Sequence, residues 1–114
     1  MGECIFCKII DKEIPSTIVY ENDKVLAFKD IHPVAPVHIL IVPKMHVSDL
    51  NSLDENNLGI IIDVHEAAKK IAEQLGIAKK GYRLIANCGV DAGQTVFHIH
   101  YHLIGGKRLG DKII

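Results

Sequence analysis

Apolar and polar positions divide the chain into stretches with the period of five strands and two helices. Between Glu3 and Lys12, Phe6, Ile9 and Ile10 recur at spacings of three and four, which sets them on one side of a short helix that Pro15 would end. Ile18–Glu21 and Val25–Asp30 flank the turn residues Asn22-Asp23-Lys24 and read as a hairpin. In its second strand Leu26 and Phe28 share one face, Val25 and Ala27 the other. His32-Pro33-Val34-Ala35-Pro36, with its two prolines, predicts a rigid loop. His38–Val42 is apolar on both faces, as a central strand covered on both sides would be.

Ser52-Leu53-Asp54-Glu55 has the form of a capping box. A helix is expected from there to about Leu75, with Leu58, Ile61, Val64, Ala68, Ile71, Ala72 and Leu75 as its apolar stripe and Gly76 as its stop. Tyr82–Asn87 and Val96–Gly105 predict the fourth and fifth strands, joined by a glycine-bearing loop, Cys88–Thr95. The tail from Lys107 to Ile114 has no clear pattern. Strands grouped around one long helix, without alternating βα units, predict an α+β fold: a five-stranded antiparallel sheet with one long and one short helix, in a single domain over residues 1–114.

Composition narrows the function classes. Apolar residues make up 48% and charged residues 24%, as in a folded globular domain, and a net charge of −1 gives no broad basic surface for nucleic acid or a membrane. No stretch approaches the length of a membrane span, and no export signal is visible, so a cytoplasmic protein is expected. In that compartment three cysteines read as metal ligands or free thiols. Cys4-Ile5-Phe6-Cys7 offers two thiolates to one side of a metal; the βαβ context of a redox pair is missing.

The densest chemistry is His98-Ile99-His100-Tyr101-His102-Leu103-Ile104. On a strand the three imidazoles share one face at intervals of roughly 6.6 Å. Such a row suits either a reaction carried by imidazoles or part of a metal site.

The row resembles the signature of the histidine-triad family. Asp30-Ile31-His32-Pro33, Pro36-Val37-His38-Ile39-Leu40-Ile41-Val42-Pro43-Lys44, the segment from Asn87 through Gly93-Gln94-Thr95, and Gly105-Gly106 extend the likeness to the family's Hint branch over nearly the whole chain. The resemblance implies a homodimer with the sheet extended across it. It also implies hydrolysis of purine nucleoside 5′-phosphoramidates to AMP or GMP and an amine. His100 would attack the α-phosphorus and form a nucleotidyl-histidine, with His38 and His102 orienting the site and binding phosphate oxygens. Asn87, Gly93 and Thr95 match phosphate-contacting positions, with Thr95 where the family often has serine. Asp30 matches the carboxylate that holds the ribose hydroxyls, and Phe6, Ile9, Ile14, Ile31 and Leu40 match the lining of the base pocket.

By the same resemblance Cys4, Cys7, His46 and His98 match the ligands of a structural zinc in the metal-containing members, and no organic cofactor is expected. His32 and His65 receive no role, and Cys88 reads as a small neutral residue beside the loop. The chain departs from well-known Hint members in having no tryptophan and in its Lys107–Ile114 ending, which bears on the preferred amine. Other readings are a dinucleoside polyphosphate hydrolase, a nucleotide-binding regulatory module with little turnover, and a catalytic metal held by the three histidines.

Overall fold

Each face of the sheet carries its own core, and strand alternation decides which residue enters which. The computed structural model describes residues 4–114, so Glu3 of the expected first helix lies outside the described residues. The elements are α1 (Ile5–Ile10), β1 (Ile18–Glu21), β2 (Val25–Lys29), β3 (Val37–Pro43), α2 (Gly59–Gln74), β4 (Tyr82–Ala86) and β5 (Tyr101–Gly105). The strands form one antiparallel sheet in the order β1-β2-β3-β5-β4, the expected five-stranded α+β arrangement, with β3 at its centre.

On one face α2 lays Ile60, Val64, Ala67, Ala68, Ile71 and Ala72 against Val25, Ala27, Ile39, Ile41, Tyr101 and Leu103. On the other, Phe6 and Ile9 of α1 cover Leu26, Phe28, Leu40 and Val42. Leu40 pairs with His102 and His38 with Ile104, and directly opposed residues project to the same side of a sheet. The histidine face is therefore the α1 face, and α2 serves the opposite side.

Several boundaries depart from the sequence reading; β2 ends at Lys29, one residue before Asp30, and β3 extends one residue beyond His38–Val42 at each end. The long helix starts at Gly59, not at the capping box. Asp49 captures Ser52 first: its Oδ1 accepts from the Ser52 N–H at 3.0 Å and from the Ser52 hydroxyl at 2.9 Å, closing a 3-10 turn over Leu50–Ser52. The Asp54 N–H then goes to Asn57 Oδ1 at 2.7 Å, a local turn that delays the helix. This onset turns the buried stripe to Ile60 and Ala67, leaving Leu58 and Leu75 exposed.

At its other end the long helix closes as expected. Gly76, at φ +75°, donates to the Glu73 carbonyl and Ile77 to that of Ala72, a Schellman motif. The first helix stops at Asp11, ahead of Pro15, where Lys12 takes a left-handed φ of +64°. The fourth strand leaves the ladder at Ala86, one residue before Asn87.

The fifth strand is paired only over Tyr101–Gly105, not from Val96. Upstream, the Ile99 N–H turns to the Val47 carbonyl at 2.8 Å. Side-chain alternation nonetheless persists through the unpaired residues, because Phe6 meets both His98 and His100 edge-on, at centroid distances of 6.0 and 5.0 Å.

Candidate active site and metal centre

Each imidazole of the row has one nitrogen tied to the protein, and the partner decides where the proton sits. His100 Nδ1 lies 2.8 Å from the His98 carbonyl oxygen. A carbonyl only accepts, so Nδ1 carries the hydrogen and Nε2 keeps its lone pair. His98 is fully buried, and its Nε2 lies 2.8 Å from the Pro43 carbonyl. Its proton is therefore on Nε2, and its lone pair is on Nδ1.

His38 arrives from β3. Its Nδ1 accepts the Val34 N–H at 3.1 Å, and its Nε2 lies 3.0 Å from His102 Nδ1 and 3.3 Å from Asp30 Oδ2. Asp30 Oδ1 also accepts the His32 N–H at 2.7 Å. Burial holds the His102 pKa below its ordinary 6.5, and the neighbouring His100 and His38 push it the same way, while Asp30 opposes them.

Beside this centre Phe6, Ile9, Ile14, Phe28, Asp30, Ile31 and Leu40 line a cavity of about 660 Å³, of the size that takes a small ligand. All six residues expected at a base and ribose site meet there. Ile31 is 86% exposed, so it forms a rim and not a wall. Phe28 was absent from the expected lining; its sequence signal was its shared face with Leu26. Phe6 joins the cavity to His100 by its edge-on contact.

Asn87, Gly93 and Thr95 lie outside the cavity lining, on the segment between β4 and β5. Ala86 pairs with Tyr101, the last rung of that ladder, and Asn87 and His100 are the next residues beyond it on the two chains. Thr95 is exposed, and Gly93 has φ +90°, where a side chain would be strained. Gln94, named in the sequence only as part of a motif, holds this loop in place. It is 4% exposed, its Oε1 accepts the Gly89 N–H at 2.8 Å, and its Nε2 donates to the carbonyls of Ser48 and Val96 at 2.8 and 3.1 Å.

On the other side of the row, Cys4, Cys7, His46 and His98 converge, all four donor atoms lying within 4.8 Å of one another. Cys4 Sγ is 3.4 Å and Cys7 Sγ 3.6 Å from His98 Nδ1, Cys7 Sγ is 3.3 Å from His46 Nδ1, and the two Nδ1 atoms are 3.1 Å apart. A tetrahedral ion with bonds of about 2.0 Å to nitrogen and 2.3 Å to sulfur separates its donors by roughly 3.3–3.8 Å. The residues fit a four-coordinate metal, and the His98 lone pair points into the cluster. Burial pushes the Cys7 thiol up to about 11, helped by its hydrogen bond and repulsion with Cys4. Burial likewise keeps His98 neutral, its pKa below the ordinary value. Cys88 lies apart as a free thiol, and His65 stacks edge-on to Tyr101 on the α2 face.

Residues 11–109 match the family model described as the HIT domain. The chain is 55% identical over 114 residues to a purine nucleoside phosphoramidase of Escherichia coli (strain K12), covering 97% of this chain and 93% of that protein. Among solved structures, a HIT family hydrolase from Clostridium thermocellum superposes with a TM-score of 0.98 at 60% identity, over 100% of this chain and 99% of the other. A histidine triad nucleotide-binding protein from Candida albicans superposes with a TM-score of 0.85 at 37% identity, over 96% and 82% of the two chains.

Proposed function

The chain belongs to the histidine-triad (HIT) family, and from that premise we propose that it hydrolyses purine nucleoside 5′-phosphoramidates with His100 as the nucleophile. The observation that carries this reading is the 2.8 Å contact of His100 Nδ1 with the His98 carbonyl, which holds a hydrogen on Nδ1 and so makes Nε2 the nitrogen that can attack. Nε2 attacks the α-phosphorus, the P–N bond breaks, and the amine departs with the bonding pair and a proton from water. Water then attacks the nucleotidyl-His100, returning the imidazole and releasing the nucleoside monophosphate.

The neighbouring residues divide the remaining work. His38 Nε2–H occupies His102 Nδ1, so His102 presents its own Nε2–H to a phosphoryl oxygen, where charge grows as the fifth bond forms. The Asn87–Thr95 loop, braced by Gln94, offers Asn87, Gly93 and Thr95 to the other phosphate oxygens. Asp30 takes the ribose hydroxyls, and Phe6, Ile9, Ile14, Ile31 and Leu40 flank the base with apolar walls that accept either purine. Zinc at Cys4, Cys7, His46 and His98 would fasten the start of α1 to the start of the row. With four protein donors it would be held as a structural ion and not as one that activates water.

Two further readings accompany this one. We take the working unit as a homodimer: among the described residues β4 is paired along one edge only, and Ile62 of α2 and Leu58, just before the helix, are exposed. A monomer mass in sedimentation equilibrium would remove that reading. The cytoplasm is the compartment that keeps the free thiols of Cys4, Cys7 and Cys88 reduced. Among the described residues no helix is long and apolar enough to cross a membrane.

The test is a comparison of turnover on adenosine 5′-phosphoramidate and on a dinucleoside polyphosphate. The phosphoramidate is expected to be the faster substrate; the reverse order, or binding of AMP without turnover of either, overturns the reading. The same assay has an expected pH dependence. His102 must stay neutral to accept from His38, and its depressed pKa keeps it so through 6.5, placing the acid limb of the rate profile below that value. Stability follows the same sign: unfolded His102 takes up its proton first, so its contribution is present above 6.5 and is lost as pH falls through the folded value. A rate already falling above pH 6.5 would show that another group controls the limb.

A further inference from the structure

Asp30 Oδ2, His38 Nε2 and His102 Nδ1 also lie within 4.8 Å of one another, with separations of 3.3 Å and 3.0 Å about the His38 nitrogen. Two imidazoles and a carboxylate are the donors of a familiar class of open metal site. The reaction centre thus has the ligand set of a divalent cation in a chain with a four-donor metal cluster nearby. A metal held there would bind the proton carriers and stop the reaction.

The two clusters differ in what lies behind the imidazoles. A neutral histidine that ligates through one nitrogen carries its hydrogen on the other and donates it to an acceptor. His98 satisfies this, with Pro43 O behind it. His38 has the reverse arrangement: behind it stands a donor, the Val34 N–H, 3.1 Å from Nδ1. Ligation through Nε2 would move the His38 hydrogen to Nδ1 and aim it at that N–H. Binding would then cost a hydrogen bond and set two hydrogens against each other, or else require an imidazolate.

We propose that the backbone N–H of Val34 is a positioning group that keeps divalent metal out of the reaction centre and, through the same hydrogen bond, sets the direction of the His38–His102 proton chain. With Nδ1 occupied as an acceptor, His38 holds its proton on Nε2. That proton fills His102 Nδ1, and His102 is left with its hydrogen on Nε2. The Val34 side chain is 62% exposed, so the role belongs to the main chain, held by the flanking Pro33 and Pro36. The consequence for turnover rests on the phosphoramidase reading; the tautomers and the exclusion of metal do not.

The experiment uses protein whose Cys/His cluster is already filled with zinc, with Co²⁺ as the probe. In the wild type, ¹⁵N-detected histidine spectra are expected to show His38 and His102 both protonated on Nε2, and Co²⁺ to give no second-site absorption and no inhibition. Val34→Pro removes the N–H, and it is expected to take up Co²⁺ at Asp30, His38 and His102 at least about tenfold more tightly and to lose turnover with it. Should Val34→Pro fail to fold, the wild-type spectra and titration decide alone. A His38 protonated on Nδ1, or a second cobalt bound by the wild type at these residues, overturns the proposal. So does a folded Val34→Pro that excludes Co²⁺ as the wild type does. Absence of phosphoramidate turnover with the expected tautomers and cobalt exclusion would sink the functional reading and leave this one standing.

Discussion

Replacing His100 with alanine is expected to lower turnover of adenosine 5′-phosphoramidate by roughly 10⁴-fold or more, because the step it serves is bond formation to phosphorus. What remains in the variant is binding and electrostatics: the cavity under Phe6, the phosphate loop and the His102 N–H still hold the substrate, but no neutral lone pair faces the phosphorus. KM is therefore expected to change far less than kcat. The substitution also empties space beside Phe6, whose ring meets His100 edge-on at 5.0 Å, so a loss of about 2–4 kcal/mol of stability accompanies it. The rate is read on protein shown by circular dichroism to be folded at the assay temperature. His102→Ala keeps the nucleophile and is expected to lose less, on the order of 10²-fold, as removal of one transition-state donor does. Near wild-type turnover by His100→Ala would discard the nucleophile assignment, and the polyphosphate and binding-module readings would then lead.

The parts of the site that were legible in the sequence are those fixed by period. Alternation placed His98, His100 and His102 on one face, and it did so although hydrogen-bonded pairing begins only at Tyr101. The same alternation put Leu26, Phe28, Leu40 and Val42 on the α1 face and left β3 covered on both sides. Competition between equivalent partners was not legible. Ser52 has the residues of a helix cap around it, but Asp49 lies three residues upstream and captures it; composition alone does not say which turn forms. The tautomers were equally hidden, since each depends on a main-chain atom brought close by folding: the His98 carbonyl for His100, the Pro43 carbonyl for His98 and the Val34 N–H for His38. Gln94 belongs with these. A glutamine in a glycine-bearing loop reads as solvated until Ser48 O, Val96 O and Gly89 N are seen to enclose it.

If Cys4, Cys7, His46 and His98 hold a metal as proposed, removing it is expected to weaken the fold more than the chemistry. The Cys4, Cys7, His46 and His98 cluster joins the start of α1, the segment after β3 and the start of the histidine row, three pieces that the sheet ladder does not tie together. An ion present at about a thousand times its dissociation constant stabilises such a site by about 4 kcal/mol, which in a domain of this size corresponds to a fall of roughly 15 °C in Tm on chelation. Protons govern the loading. The Cys7 thiol, pushed up to about 11 without the ion, binds only as thiolate, so loading at neutral pH must release its proton and must weaken as the pH falls. Calorimetric titration with Zn²⁺ in two buffers of different ionisation enthalpy reads that release directly. A metal-free protein whose Tm is unchanged but whose turnover is abolished would transfer the ion from scaffold to catalyst. A purified protein that takes up no zinc would end the assignment of these four residues as ligands.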